Sequence, residues 1–319
     1  MLKLLRSLVS PAGRLPVVVG MSLLALGLGA GTPTAPVRNR TVPLIVWRHG
    51  YAKAALARVT IDGRHYLFLI DTGAAKTALR TSVALALGLR PQGPDTRVMT
   101  AGCSTEAGHL LLSDWQLHGV ALPPTVVMTA GLAGVPPRVA GQQVAGLLGS
   151  DVLAQFRAIR LEYSRSRLVL GATPSAAGRS VPIIVHHLPA LGGQVELVHA
   201  TLGRAPATLL VDTGASLTTI DSRLARRGQT VAFGPQGSVR GAAGCQVRVR
   251  AVAIADWKLQ GLVMPSAYAL SGSIAAHGHG ISFQGLLGSD VLSFYRQVTL
   301  EFAPRPRLIL DGPMYHAHN

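Results

Sequence analysis

One stretch of this chain occurs twice. Residues 67–79 read LFLIDTGAAKTAL and residues 208–220 read TLLVDTGASLTTI, each an apolar run that ends in Asp-Thr-Gly-Ala. Other matches follow in the same order. AGC at 101–103 returns at 243–245, SDWQLHGVAL at 113–122 returns as ADWKLQGLVM at 255–264, and GLLGSDVL at 146–153 returns at 285–292. RLEYSRSRLVL at 160–170 returns as TLEFAPRPRLIL at 299–310. The spacing stays near about 140 residues, too long for a solenoid unit and right for a small domain. The chain is therefore expected to fold as two similar lobes, over 41–172 and 182–319. The segment 173–181 links them, and 32–40 joins an N-terminal segment to the first lobe.

Each half reads mostly as strands. ARVTIDGRHYLFLIDTG sets Asp62-Gly63 between two strand-like runs, which is a hairpin signal. YLFLI is apolar throughout, as a strand buried on both faces is. The two Gly-Ser-Asp-Val-Leu stretches predict short helices with Ser150 and Ser289 as N-caps. Asp151 and Asp290 then sit in the first turn, where a negative charge suits the helix dipole. The expected fold class is all-β with a few short helices.

The repeated aspartates carry the chemistry. Asp71 and Asp212 each end a buried apolar strand, where an unpaired carboxylate is costly. A pseudo-two-fold axis that brings them together lets the pair share one proton, because adjacent like charges do not both ionise readily. The ionised member takes a proton from water while the protonated member polarises a carbonyl. That is general acid–base hydrolysis of an amide, and it calls for no metal, cofactor or covalent intermediate. Thr72 and Thr213 offer hydroxyls to the opposite strand's backbone. Gly73 and Gly214 are expected to allow a tight turn and to let backbone N–H groups approach the carboxylates. Gly-Leu-Leu-Gly at 146–149 and 285–288 suits packing behind each aspartate loop.

In these motifs the chain resembles the retropepsin-like group of aspartic proteases, over both lobes from residue 41 onward. Retroviral members are homodimers of one lobe; here both lobes share a chain, as in the pepsin group. The resemblance implies two pseudo-two-fold-related β-barrel lobes with the active-site cleft between them. It implies Asp71 and Asp212 as the catalytic dyad, supported by Thr72, Gly73, Ala74, Thr213, Gly214 and Ala215. It also implies a polypeptide substrate and a β-hairpin flap from each lobe. Ala74 and Ala215 match retropepsins rather than pepsins, which carry Ser or Thr there. Alanine donates nothing to the outer carboxylate oxygen, so an activity optimum nearer about pH 4–6 than about pH 2 is expected. Where retroviral enzymes carry Gly-Arg-Asn after the apolar pair, this chain has Gly-Ser-Asp, a departure that bears on lobe–lobe contacts.

By the same resemblance, Gly102-Cys103 and Gly244-Cys245 fall in the two flaps. These are the only two cysteines of the chain. In an oxidising compartment they are candidates for one disulfide, Cys103–Cys245, that ties the flaps together. The other reading is two small apolar residues inherited by duplication.

The formal charge is +16, from 30 Lys and Arg against 14 Asp and Glu. The basic residues are scattered singly, without interleaved aromatics, so no nucleic-acid partner is expected. Lys3, Arg6 and Arg14 precede an uncharged run over 15–31 that ends in small residues. Residues 1–31 therefore read as an export signal, cleaved or retained as a membrane anchor. The expected location is the periplasm, the exterior or the outer face of the inner membrane. Glu162 and Glu301 are expected as surface partners of nearby arginines, and Trp115 and Trp257 in the core or at the flap base. HGHG at 277–280 and YHAHN at 315–319 have no Cys or acid at ligand spacing and read as loop and tail histidines, not a metal site. The expected function is peptide-bond hydrolysis by a monomer. The alternative is a non-catalytic peptide-binding protein on the same scaffold, against which the intact motif in both halves argues.

Overall fold

The computed structural model describes residues 37–100, 103–189, 192–274, 276–278 and 281–313. Residues 1–31, Gly102 and the tail histidines lie outside them. Strands dominate, and the α-helices among the described residues are short: Thr81–Ala86, Ser150–Leu153, Ser222–Arg227 and Ser289–Leu292. The fold is all-β, in two lobes built on one plan.

In the first lobe the strands Ala52–Ile61 and Arg64–Ile70 form an antiparallel hairpin. Its turn, Asp62-Gly63, has positive φ at both residues, 47° and 74°. That is the primed geometry whose twist matches the flanking strands. The second lobe repeats the hairpin with Gly193–Leu202 and Ala205–Val211. The inner strand of each hairpin then pairs in parallel with a strand from late in the same lobe. Arg64–Ile70 lies beside Gln142–Leu148, and Ala205–Val211 beside Gly285–Leu287. A parallel strand in the middle of a sheet is covered on both faces. This is why Tyr66 to Ile70 is continuously apolar and wholly buried.

Two further hairpins extend from the lobes: Gln92–Thr100 with Cys103–Leu112, and Val231–Arg240 with Gln246–Ile254. Beneath the aspartate loops the lobes share a six-stranded antiparallel layer, three strands from each. Arg40–His49, Arg167–Leu170 and Ala158–Glu162 come from the first lobe. Tyr295–Glu301, Arg307–Pro313 and Arg179–Pro182 come from the second. At the seam, Arg160 pairs with Thr299 and Leu161 with Val298. Arg160 and Thr299 are equivalent positions of the repeat, so the pseudo-two-fold axis passes through that pair.

Glu162 and Glu301 belong to this layer and are buried, contrary to the surface positions expected for them. Glu162 is fully enclosed and is met by Arg160, Arg165 and Arg167; Glu301 pairs with Arg307. The strand carries the carboxylate inward, and the long arginine stems cover it while their heads reach solvent. Trp115 and Trp257 are core residues, each with its indole N–H on a proline carbonyl, Pro123 at 2.9 Å and Pro265 at 2.8 Å.

Candidate active site

Asp71 and Asp212 follow the two inner strands directly. The N–H of Asp71 donates to Leu148 O at 3.0 Å, and that of Asp212 to Leu287 O at 3.0 Å. The parallel partner strand thus holds each aspartate at the end of its own. Both side chains are fully buried. Asp71 Oδ1 accepts from the Ala74 N–H at 3.1 Å, and Asp212 Oδ1 from the Ala215 N–H at 2.8 Å. Asp71 Oδ2 is buried with no backbone or hydroxyl donor. Ala74 and Ala215 are enclosed and supply backbone only.

The two carboxyls face one another across the axis. Burial pushes the Asp71 carboxyl well above the usual carboxylate range, and the adjacent Asp212 pushes it further, both as a negative charge and as a hydrogen-bond partner. The N–H groups of Ala74 and Gly73 pull the other way and do not prevail. A carboxyl that retains its proton beside one that does not is the division of roles an acid–base pair needs.

Gly73 and Gly214 serve this pairing in a second way, beside letting backbone N–H groups approach the carboxylates. Neither has positive φ. A Cβ on Gly73 would stand 2.4 Å from Asp212 Cγ, and one on Gly214 would stand 2.2 Å from Asp71 Cγ. Each glycine leaves room for the carboxyl of the opposite lobe.

The threonines lock the loops together. Thr72 Oγ1 donates to Val211 O at 2.8 Å and accepts from the Thr213 N–H at 3.1 Å. Thr213 Oγ1 donates to Ile70 O at 2.8 Å and accepts from the Thr72 N–H at 3.1 Å. These four bonds use both capacities of each hydroxyl and cross the axis every time, as the sequence led one to expect.

Behind the loops the structure corrects the helix caps. The N-cap residues are Gly149 and Gly288, and neither serine caps through its side chain. The serine hydroxyls turn toward the aspartate loops. Ser150 Oγ donates to Thr72 O at 3.0 Å, and Ser289 Oγ donates to Thr213 O at 2.7 Å. Asp151 and Asp290 do lie in the first helical turn, but their main contacts are specific. Asp151 accepts from the Thr77 N–H and hydroxyl, and Asp290 from those of Thr218, at 2.7–2.8 Å. Lys76 stands 3.6 Å from Asp151, while Lys53 of the first lobe lies beside Asp290 and donates to Ser293 Oγ at 2.7 Å. Burial raises both acids, Asp290 to about 6.

Of the residues the resemblance assigns to the flaps, Cys103, Gly244 and Cys245 lie at the ends of the two hairpins. Cys103 begins the strand Cys103–Leu112, and Gly244 and Cys245 lie in the turn after Val231–Arg240. Cys245 is disulfide-bonded; the side chain of Cys103 and all of Gly102 lie outside the described residues. The second-lobe turn reaches the first lobe, where the Gly134 N–H donates to Ala242 O at 3.3 Å. Arg80 holds that first-lobe loop by donating to the carbonyls of Gly131, Leu132 and Val135, at 2.9–3.2 Å. Among the described residues no cluster of His, Cys, Asp and Glu is arranged to hold a metal.

The sequence reading passed over Thr77, Thr218, Tyr163 and Glu196. The two threonines were within reach, since each stands six residues after its aspartate in both repeats. The other two occur in one lobe only, so the repeat gives no signal for them. Ser150 Oγ lies 3.2 Å from Glu196 Oε2, and Ser289 Oγ lies 2.7 Å from the Tyr163 hydroxyl.

A family model described as aspartyl protease matches residues 57–152 and 198–291. The two spans together exceed half of the chain, and each contains one aspartate loop and its apolar partner strand. No curated protein matches.

Proposed function

Since the chain belongs to the aspartyl protease family, we propose that it is an endopeptidase that hydrolyses peptide bonds with Asp71 and Asp212 as its acid–base pair. The carrying observation is the enclosure of both carboxyls face to face at the axis, with Asp71 held above its ordinary range. In this reading the pair holds one proton. The ionised carboxylate removes a proton from water as the oxygen attacks the scissile carbonyl carbon. The protonated carboxyl donates its proton to the carbonyl oxygen, giving a neutral tetrahedral diol. Collapse reverses the roles: the diol returns one proton to the pair, the pair passes one to the amide nitrogen, and the C–N bond breaks to give a carboxylic acid and a neutral amine, so the dyad again holds one proton. Burial excludes competing donors, and the threonine cross-bonds hold the loops so that little reorganisation accompanies the transfer.

The substrate in this reading is an extended polypeptide lying between the lobes beneath the two hairpins. The working form is a monomer of two lobes, near 41–172 and 182–319, exported under direction of residues 1–31. A Cys103–Cys245 bond between the hairpins belongs to the same proposal and fits an oxidising compartment.

The test is cleavage of denatured casein between about pH 3 and about pH 7, with a statine-type transition-state analogue and an Asp71→Asn variant as controls. Inhibitor-sensitive cleavage that vanishes in the variant supports the reading. Peptide binding without cleavage under any condition overturns it in favour of a binding protein on this scaffold.

A further inference from the structure

The two serines behind the aspartate loops have equivalent tasks but different neighbours. At Ser289 the proton count is simple. The Tyr163 hydroxyl donates to Ser289 Oγ at 2.7 Å, and Ser289 Oγ donates to Thr213 O at 2.7 Å. Every member is buried and every bond has its proton. In the repeat, Tyr163 corresponds to Phe302, which cannot do this for Ser150. Ser150 is met instead by Glu196, whose counterpart in the first lobe is Ala55.

Ser150 Oγ lies 3.0 Å from Thr72 O and 3.2 Å from Glu196 Oε2. A hydroxyl has one proton, and a carbonyl only accepts. If Glu196 were ionised, that proton would have to serve either the carbonyl or the carboxylate, leaving either the Thr72 carbonyl or the close Ser150–Glu196 oxygen contact without a proton in a fully enclosed site. If Glu196 is protonated, both contacts are hydrogen bonds in the same sense as on the Tyr163 side. The other oxygen, Oε1, already accepts from Gln194 Nε2 at 2.8 Å, so the proton belongs on Oε2.

We propose that Glu196 is a positioning residue that works in its protonated form, donating through Ser150 to the Thr72 carbonyl and so holding the Asp71 loop from the second lobe. The inference rests on the protease reading for its effect on catalysis, though not for the protonation itself. Burial, the first cause, pushes Glu196 up to about 7, against the bonds from Gln194, Ser150 and its own backbone N–H. Charged and titratable groups on the elements around it are His186 and His187 on the paired strand, and Asp151 with Lys76 on the first-lobe side. Arg223, Arg226 and Arg227 lie on the helix beneath the strand, Lys258 on the strand at its far end, and the dyad itself on the loops. None of these is a resolved cause of the shift. Loss of the proton near neutrality forces Ser150 to choose, and the Thr72 carbonyl is released.

The experiment compares the full chain with Glu196→Gln, whose amide donates at every pH. In wild type the alkaline fall of kcat should reflect two ionisations, the dyad and Glu196. In E196Q it should become a single ionisation and begin higher, with kcat near about pH 5 within about threefold of wild type. A profile that superimposes on wild type overturns the proposal. The proton is tested independently of activity by infrared spectroscopy on an Asp71→Asn background at mildly acid pH. Asp151 and Asp290 contribute protonated-carboxyl bands of their own, so the readout is the difference spectrum: one protonated-carboxyl carbonyl component should be lost when E196Q is added. Absence of that loss overturns the proposal even if proteolysis is established. The loss sustains the protonation even if no substrate is ever cleaved. Should E196Q fail to fold, Ser150→Ala carries the same profile test, because it cuts the chain of bonds while leaving Glu196 in place.

Discussion

The carboxyl of Asp71 rests against Gly214 of the opposite lobe, so closely that a Cβ there would stand 2.2 Å from its Cγ. The Asp71 carboxyl would have to shift to admit a methyl group. Gly214→Ala should therefore cost about 1–3 kcal/mol of stability and lower kcat by about 100-fold or more through misplacement of the pair. Gly131→Ala is the control: its Cβ meets nothing and its φ is not positive. Kinetics and thermal denaturation of both variants check this. A Gly214→Ala protein with wild-type turnover would contradict the geometry.

Thr72 satisfies two buried backbone groups of the second lobe, Val211 O and the Thr213 N–H. Thr72→Val keeps the shape and removes both bonds, leaving two polar groups unmet. The expected loss is about 2–4 kcal/mol. Thr72→Ser should restore most of it. The double variant with Thr213→Val should be less destabilised than the two singles added together, since each hydroxyl binds its partner's N–H. Denaturant titration of the four proteins decides.

Stability should be greatest in mild acid. Asp71, Asp151, Asp290 and Glu196 are all raised in the folded chain, with burial the first cause. The folded state therefore keeps protons that the unfolded chain releases once the pH passes the ordinary carboxylate range, near about 4. The stability contribution is complete below that range. It is lost as pH rises through the folded values, about 6 for Asp290 and about 7 for Glu196. Tm should fall from about pH 5 to about pH 8. A Tm that climbs over that interval would show these groups ionised in the native protein.

Asp71→Asn separates chemistry from stability. Asparagine takes no proton from water, so peptide hydrolysis should disappear. The same change removes one of two adjacent buried acids. At about pH 7 the variant should be more stable than wild type, by about 1 kcal/mol or a few degrees in Tm. Loss of activity together with lowered Tm at neutral pH would mean the carboxylate has a structural role not accounted for.

Much of the site was legible because the repeat makes its own comparison. The aspartates, the threonine cross-bonds and the apolar strands behind them recur in both halves, and equivalent residues on a two-fold axis must meet. What escaped was whatever depends on the other lobe. Gly73 and Gly214 look like turn residues within one copy, and only the assembled pair reveals the carboxyl each accommodates. Ser150 and Ser289 look like helix caps for a different reason: their acceptors, the Thr72 and Thr213 carbonyls, lie in the same lobe but far away in sequence. Glu162 and Glu301, among arginines, read as surface charge until the seam strands bury them. Glu196 and Tyr163 break the repeat, so no spacing argument reaches them; a lone glutamate in the apolar strand QVELVHATL was the one visible mark.

The seam at Arg160 and Thr299 is self-complementary, in the manner of a closed two-fold interface between separate subunits. Each lobe brings three neighbouring strands to the shared layer, and no strand of one is threaded between those of the other. The peptide over 173–178 thus supplies local concentration and leaves the architecture to the interface. A chain severed there retains both complementary surfaces, so its fragments should reassemble into one active body. By the same logic, two intact chains at high concentration can exchange halves, giving a swapped dimer with two complete dyads.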